Sequence, residues 1–299
     1  MALVLNEEQV MLKESAAGFL AENATVTHLR ALRDSNSERG FSDDVWNEMA
    51  QMGWAGIAIP EAFGGLGYGY TGLGLLLEQA GRNLSASPLQ STVLVAATLI
   101  GELGSSQQKE ELLPAIAAGQ KLISLALQEG PHHAPQQSAL SATLNEGDYI
   151  LSGTKLMVLD AVSAHTFIVI ARTSGTPGEE QGLSAFLLDA GTAGLTVERR
   201  SLVDSRSVGA LVCDNVRVPA ANLLGAPGSA WVGLNRALDI ANIGPASELL
   251  GVSTDVLERT IAYPQERKQF RRVIGPFQGL QHRAAELFAA LEVCPFYTP

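Results

Sequence analysis

Apolar residues recur at helical spacing in the first part of the chain, with polar residues on the opposite face. Asn6, Ser42 and Ser87 predict three helix starts, because short polar side chains cap the exposed N–H groups of a first turn. Gly104 predicts the end of the third helix, since glycine is common just beyond a helix C-terminus. The pattern predicts an N-terminal helical domain over residues 1–122.

The period changes near Ile123 to short runs of β-favouring residues that Gly, Asn, Asp and Pro separate. The predicted strands are 123–128, 149–159, 166–171, 183–188, 195–200 and 210–218. No helical stretch separates these runs, which favours an antiparallel sheet or barrel over βαβ units. A middle antiparallel β domain is therefore predicted over residues 123–228.

Helical spacing returns at Ser229 and continues to about Gln265. Gly244-Pro245 should kink or divide this helix, because proline lacks an N–H and clashes with the preceding turn. A second helix is predicted near Phe277, and its pattern is lost toward the end of the chain. Two helices cannot bury their apolar faces as a complete bundle. The sequence predicts an α+β multidomain protein with an incomplete C-terminal helical bundle over 229–299, whose partner helices come from another chain or are missing.

Composition excludes several kinds of partner. The net charge is −11, and nucleic-acid binding needs a basic surface, so no nucleic-acid partner is expected. No stretch is long and apolar enough for a membrane span, and the N-terminus lacks signal-peptide features, so a cytoplasmic protein is expected. His132 and His133 have no third ligand at suitable spacing, so no metal is expected.

Four segments are similar to motifs of the acyl-CoA dehydrogenase family. Residues 59–67 resemble its PEEYGGLG loop, and residues 148–155 resemble its Y-x-I-x-G-x-K hairpin. Residues 215–225 resemble its V-x-V-P-x-x-N-x-L-G exit from the β domain, and residues 263–282 resemble its ERxxFGxxIGxFQ helix and turn. The order of the motifs matches the family over nearly the whole chain. The likeness is greatest to a branch with hetero-oligomeric members that act on steroid-type substrates.

The resemblance implies an enzyme that uses FAD to introduce a double bond into an acyl-CoA thioester. In the family, a carboxylate base removes the α proton and a hydride passes from the β carbon to the flavin. The protein must hold base and flavin on opposite faces of the substrate and hydrogen-bond the thioester carbonyl.

The flavin-binding strands of the family correspond to two segments of this chain. Leu127 and Gln128 match the first strand, and Gln128 replaces a threonine that bonds the flavin ring. Met157 and Leu159 match the second strand, where they replace an aromatic residue and a hydroxyl. The resemblance implies flavin contacts for all four, and the alternative reading is of ordinary strand residues.

A third set of positions matches residues that reach the FAD of a neighbouring subunit in the family. These are Arg267, Gln269, Phe270 and Gln278. Arginine suits a pyrophosphate because its fork bonds two oxygens, and Arg271 and Arg272 extend the basic patch. The alternative reading is a solvated, charged helix end.

The catalytic base of the family has two known locations. The first corresponds to Ala241, which has no carboxylate, and the second lies on later helices that this chain does not contain. Glu248 lies seven residues beyond Ala241 and is a weak candidate that we interpret as structural. No catalytic residue is therefore predicted.

Three hypotheses fit the sequence. The chain is an acyl-CoA dehydrogenase subunit without its own base, in a homo- or hetero-oligomer with a related dehydrogenase subunit. Alternatively, it is a truncated, inactive homologue, as the unusual tail at 292–299 suggests. The third hypothesis is a flavin-free scaffold or acyl-CoA-binding subunit, consistent with the substitutions at Met157 and Leu159.

Overall fold

The computed structural model describes residues 4–294, and these residues form two compact units. The sheet unit comprises residues 30–69 and 86–241. Within the described chain, the helical unit comprises residues 4–29, 70–85 and 242–294. The three domains predicted from the sequence, 1–122, 123–228 and 229–299, stay a prediction, since both units are assembled from discontinuous segments.

The elements are numbered in chain order. The helices are α1 (Glu7–Asn23), α2 (Val26–Asp34), α3 (Asp43–Gln51), α4 (Gly69–Asn83), α5 (Ala97–Leu103), α6 (Ser106–Ala117), α7 (Trp231–Ala241), α8 (Ile243–Glu266) and α9 (Gln278–Val293). The strands are β1 (Ile123–Ala126), β2 (Ser141–Asn145), β3 (Asp148–Leu159), β4 (Thr166–Arg172), β5 (Leu183–Asp189), β6 (Leu195–Ser201), β7 (Ser207–Pro219), β8 (Leu223–Leu224), β9 (Lys268–Gln269) and β10 (Arg272–Val273). Leu89–Ala96 forms π-helical turns that lead into α5, and this stretch is called the π segment. No helix among residues 4–294 is long and apolar enough to cross a membrane.

The predicted helix starts at Asn6 and Ser42 are confirmed. Asn6 and Gln9 form a capping box, in which each side chain accepts a hydrogen bond from the other's backbone N–H. The Ser42 side chain accepts from the backbone N–H of Val45 at 3.4 Å. The helix predicted after Ser87 begins with the π segment and ends at Leu103, next to Gly104 as predicted.

The sheet of the sheet unit is mainly antiparallel, as predicted. Its strand order is β6-β7-β3-β2-β4-β5-β8, with β1 added beside β4. The β1–β4 pair is parallel, with Ile123 opposite Thr166, and so is the short β2–β4 pair, with Ser141 opposite Arg172. The sequence did not reveal β2, because only Ala142 of its five residues is buried and its apolar signal is weak.

Two apolar cores lie on the two faces of β4, every residue of which is buried. Ile168 and Ile170 pack into a core with residues of α5, α6 and α7. Phe167 and Val169 pack into a core built from the other strands. Side chains alternate between the faces of a strand, so this double coverage explains the continuous apolar run that predicted β4.

The helical unit depends on a close crossing of α4 and α8. A Cβ atom on Gly251 would lie 1.9 Å from the carbonyl oxygen of Glu78, and one on Gly81 would lie 2.1 Å from that of Glu248. Only glycine allows the two backbones this approach. The Lys13 ammonium ties α1 to α4 through both carboxylate oxygens of Glu78, at 2.8 and 2.9 Å.

The helix predicted from Ser229 onwards is divided, as expected. The break lies at Asn242, three residues before Pro245. α7 ends at Ala241 and α8 begins at Ile243, with Asn242 between them. Pro245 lies in the first turn of α8, where its missing N–H costs least, and its ring would clash with the carbonyl of Ala241 in a continuous helix. The helix therefore breaks ahead of the proline.

Apolar side chains remain exposed on α8 and α9. Leu249, Val256 and Tyr263 are exposed at intervals of seven residues along α8. None of the α9 residues is buried, and Leu287 and Phe288 are each 54% exposed. Helical bundles bury such faces against further helices, and the incompleteness of this bundle stays a prediction. Residues 295–299 of the predicted unusual tail lie outside the described residues.

Candidate functional site

The two segments predicted to contact a flavin lie side by side in the sheet unit. The backbone N–H of Leu156 donates to the carbonyl of Gln128 at 2.6 Å. The Lys155 ammonium donates to the carbonyl of Leu127 at 3.0 Å. The end of β1 and the middle of β3 are therefore held together beside Met157.

Met157 lies on a β-bulge. The pairing of β3 with β7 changes register between Lys155, opposite Leu211, and Val158, opposite Gly209. Met157 has a φ of +53°, in the left-handed region, and is 51% exposed. Bulges and strained backbone are frequent at functional sites, because they redirect a side chain. Leu159, two residues on, is only partly exposed and pairs with Val208.

Gln128 presents an acceptor rather than a donor. Its amide nitrogen donates to the carbonyls of Gly130, at 2.8 Å, and His132. Both N–H groups are thus directed at the loop that follows β1, and the amide oxygen is what Gln128 offers to a ligand. The sequence left the choice between donor and acceptor open. A flavin contact for Gln128 stays a prediction.

A buried ion pair lies directly behind these segments. The fully buried Lys155 ammonium contacts Glu129 Oε1 at 2.5 Å and the hydroxyl of Ser138 at 2.6 Å. The backbone N–H groups of Ala139 and Leu140 donate to the same carboxylate at 2.7 and 2.9 Å. The pair connects the loop after β1 to β3 and to the start of β2.

Both partners of this pair are charged near neutral pH. Burial lowers the pKa of Lys155 to about 8, while the Glu129 carboxylate opposes that shift. Burial acts to raise the pKa of Glu129, but Lys155 and the two backbone donors outweigh it and the pKa lies below its usual value. This pair was not predicted from the sequence, although Lys155 belongs to the Gly-x-Lys motif and Glu129 stands beside Gln128.

A second acidic group ends β3. Asp160 follows Leu159 and accepts a hydrogen bond from the Ser91 hydroxyl at 2.6 Å, through Oδ2. The residue is partly exposed, but its carboxyl group is enclosed by protein, and burial raises the pKa of Asp160 to about 6 against the opposing effects of Ser91 and Arg206. The folded state thus holds this proton more tightly than the unfolded chain.

Replacing Asp160 by asparagine is expected to stabilise the protein at neutral pH. Because the pKa of Asp160 is raised to about 6, its protonated form is the one that the fold tolerates. The folded protein has the full benefit below about pH 4 and loses it as the pH rises through 6 and the buried carboxyl group ionises. Asparagine has no charge to bury and still accepts from Ser91, so the variant should exceed the wild type by about 1–3 kcal/mol at pH 7.5. Urea denaturation of the variant and the wild type at pH 4 and pH 7.5 measures the difference in their free energies of unfolding at each pH. An advantage of equal size at the two pH values would contradict the assignment.

The predicted pyrophosphate patch forms a hairpin in the helical unit. β9 and β10 pair antiparallel, with Gln269 opposite Arg272. The two turn residues, Phe270 and Arg271, have φ +51° and +63°, as in a type I′ turn. Phe270 is 84% exposed, and the Arg272 guanidinium lies 4.3 Å from the ring centre of Phe277. The hairpin thus presents an exposed phenylalanine at its tip, and a flavin contact for Phe270 stays a prediction.

Replacing Arg271 by glycine tests the strain in this turn. Glycine adopts a positive φ without the Cβ clash, which outweighs its larger unfolded-state entropy. The free energy of unfolding should therefore rise by about 0.5–1 kcal/mol. Thermal denaturation of the variant beside the wild type measures the change, and a lower melting temperature would show that Arg271 makes contacts worth more than the strain.

The remaining predicted residues are distributed over both units. Ala241 is the last residue of α7, in the sheet unit, and is partly buried. Glu248 lies in the helical unit, where its backbone carbonyl is at the crossing of α4 and α8, and its structural role stays a prediction. Gln278 is the exposed first residue of α9. Residues 4–294 contain no cluster of three potential metal ligands.

The sheet-unit residues fit the face of a flavin ring. Met157 offers an exposed, polarisable thioether beside the Leu127–Gln128 segment, and such groups pack well on aromatic rings. Gln128 supplies an acceptor for an N–H at the ring edge. The fit rests on apolar contact and one acceptor, because the hydroxyl groups of the family motif are absent here.

Comparison with known proteins identifies the family. The models of the acyl-CoA dehydrogenase N-terminal, middle and C-terminal domains match residues 6–120, 128–216 and 231–296. The acryloyl-CoA reductase (NADH) of Anaerotignum propionicum is 31% identical over 291 residues, covering 95% of this chain and 72% of that relative.

Two solved structures have the same fold. The steroid ACAD Tcur3481–Tcur3483 is 33% identical, with a TM-score of 0.83 over 98% of this chain and 77% of that one. The ChsE4–ChsE5 complex from Mycobacterium tuberculosis is 25% identical, with a TM-score of 0.85 over 98% of this chain and 76% of that one. Because the three family models together match most of the sequence, the chain belongs to the acyl-CoA dehydrogenase family.

Proposed function

We propose that the chain is an acyl-CoA dehydrogenase subunit that binds FAD and an acyl-CoA thioester, and that a related partner subunit supplies its catalytic carboxylate. Ala241 carries this proposal. It occupies the base position inferred from the family motif and ends α7 with a methyl group. A methyl group cannot remove a proton, so the reaction needs a base from elsewhere.

The residues of the sheet unit would hold the flavin ring. Members of this family generally bind FAD, which accepts a hydride when bound. Met157 and Leu159 would pack against the ring, and Gln128 would accept a hydrogen bond at its edge. Leu127 is buried in the core with residues of α5 and α6, so it would support the segment from behind. The Lys155–Glu129 ion pair would keep the two segments at a constant separation.

The hairpin of the helical unit would serve the FAD of a neighbouring subunit. Arg267 would bond the pyrophosphate, with Gln269 and Gln278 as further polar contacts and Phe270 as an apolar one. The local cluster of basic residues on a chain of net charge −11 supports a phosphate ligand at this place.

Two of the similar structures support a partner of the same family. Both are named as pairs, Tcur3481–Tcur3483 and ChsE4–ChsE5, and the first is named as a steroid ACAD. The exposed apolar faces of α8 and α9 offer surface for such a partner. Glu248 stays the weak internal candidate for the base, at a helix crossing that favours a structural role.

One observation favours a second function, a flavin-free acyl-CoA-binding scaffold. Gln128 donates its amide N–H groups to carbonyls of its own loop. Its side chain therefore has no N–H left to donate to a flavin. In that case Met157 and Leu159 would be strand residues without a ligand.

The visible spectrum separates the two functions. The chain is purified alone and together with the product of any adjacent dehydrogenase gene. Flavin absorbance of the chain alone, or absorbance of the complex above that of the partner alone, supports the proposed subunit. Colourless, folded protein that binds CoA thioesters in both preparations would support the scaffold instead. An Arg267→Ala variant of the complex should lose flavin, and Arg217→Ala on the surface of β7 is the matched control.

A further inference from the structure

The π segment differs from the helices around it in its hydrogen bonding. The N–H of Ala97 donates to the carbonyl of Thr92, five residues back, where an α-helix would use a residue four back. π-helical turns are rare in proteins, and those that occur are often found at functional sites. Six of the eight residues of Leu89–Ala96 are buried.

Two consecutive hydroxyls of the π segment bond to two different strands of the sheet unit. Ser91 and Thr92 are 2% and 1% exposed. The Ser91 hydroxyl donates to the carboxylate of Asp160 at 2.6 Å. The Thr92 hydroxyl donates to the carbonyl of Ile123 at 3.0 Å and accepts from its N–H at 3.1 Å.

Both strands lead to the residues that would face the flavin. Ile123 begins β1, which continues into Leu127 and Gln128. Asp160 directly follows β3, whose bulge presents Met157 and whose last residue is Leu159. The π segment therefore bonds the beginning of one flavin-facing segment and the end of the other.

Ser91 and Thr92 are consecutive in the chain, but their hydroxyls bond to two different strands. Adjacent residues of a helix point to different sides of its axis. One short segment therefore contacts the beginning of β1 and the end of β3 at the same time.

We propose that Ser91 and Thr92 are positioning residues, which fix the separation and orientation of the Leu127–Gln128 and Met157–Leu159 segments for binding of the flavin ring. This inference rests on the proposed function. It assigns the π segment a role in cofactor binding beyond its contribution to the core. A hydroxyl that merely fills a buried hydrogen bond would affect stability alone.

The test measures FAD affinity and the flavin absorption spectrum of the full chain, in whichever assembly binds FAD. Ser91→Ala and Thr92→Val should each weaken FAD binding by about tenfold or more and shift the absorption bands, because the ring environment loosens. Thr92→Ser keeps the hydroxyl and should restore wild-type affinity. Titration of FAD fluorescence provides the dissociation constants.

Ser85→Ala is the matched control. Ser85 is a buried serine of the helical unit, and its hydroxyl donates to the carbonyl of Ala24 at 2.7 Å. Its removal should lower the melting temperature as Ser91→Ala does, and leave the FAD affinity and the absorption spectrum unchanged.

Two results overturn the inference in distinguishable ways. If the wild type binds FAD and Ser91→Ala and Thr92→Val bind it equally well with the same spectrum, the positioning role is wrong and the proposed function stands. If the wild type binds no FAD in any assembly, the proposed function fails and the inference fails with it.

Discussion

Replacing Gly251 by alanine is expected to destabilise the helical unit by about 3 kcal/mol or more. The added methyl group would lie 1.9 Å from the carbonyl oxygen of Glu78 and 2.9 Å from the backbone nitrogen of Arg82. These are backbone atoms of α4, so no side-chain rotation relieves the overlap and the helices must separate. Urea denaturation followed by helical circular dichroism measures the loss.

Gly18→Ala provides the matched control for this substitution. Gly18 also lies within a helix of the helical unit, α1, but a Cβ there has no neighbour within 4 Å. Alanine should therefore raise the free energy of unfolding by about 0.5–1 kcal/mol, since it restricts the unfolded chain and favours helix. If Gly251→Ala were as stable as Gly18→Ala, the close crossing of α4 and α8 would be wrong.

Replacing Lys155 by methionine is expected to cost about 3–5 kcal/mol of the free energy of unfolding. Methionine fills similar volume but leaves the Glu129 carboxylate without its cation and the Leu127 carbonyl without its donor. Because Glu129 keeps two backbone N–H donors and 21% side-chain exposure, a loss near 3 kcal/mol is expected. Chemical denaturation at pH 7 measures it.

Two further variants identify the cause of that loss. Lys121→Met removes a partly exposed lysine at 3.7 Å from Asp189 and should change stability by less than about 0.5 kcal/mol. The double variant Lys155→Met, Glu129→Gln removes both charges and should be less destabilised than the sum of the single variants. Additive losses would show that the two groups do not stabilise each other.

Local rules account for the elements that the sequence predicted. Asn6 and Ser42 start helices because capping depends on one side chain and the next turn. β4 was predictable because its apolar run is continuous. β2 was not, since it is short, Ala142 is its single buried residue, and the strand depends on pairing with β3. The exact position of the helix break, at Asn242, was also not predicted, although Pro245 indicated that a break would occur.

The candidate site was predictable only where a motif fixes a residue. Family motifs located Leu127, Gln128, Met157 and Leu159, and the structure brings their two segments together. Their hydrogen bonding depends on contacts distant in sequence. The bonds of Gln128 to its own loop, and of the π segment to Ile123 and Asp160, have no periodic signal in the sequence.

Reduction of the flavin by substrate tests the central claim, that this chain lacks its own catalytic base, most directly. Under anaerobic conditions, loss of the flavin absorbance is followed after addition of straight-chain, branched or ring-bearing acyl-CoAs. We expect the FAD-loaded chain alone to keep its absorbance and the complex with a related subunit to lose it. An Ala241→Glu variant of the chain alone should gain the reaction. Rapid loss of absorbance in the wild-type chain alone would contradict the account.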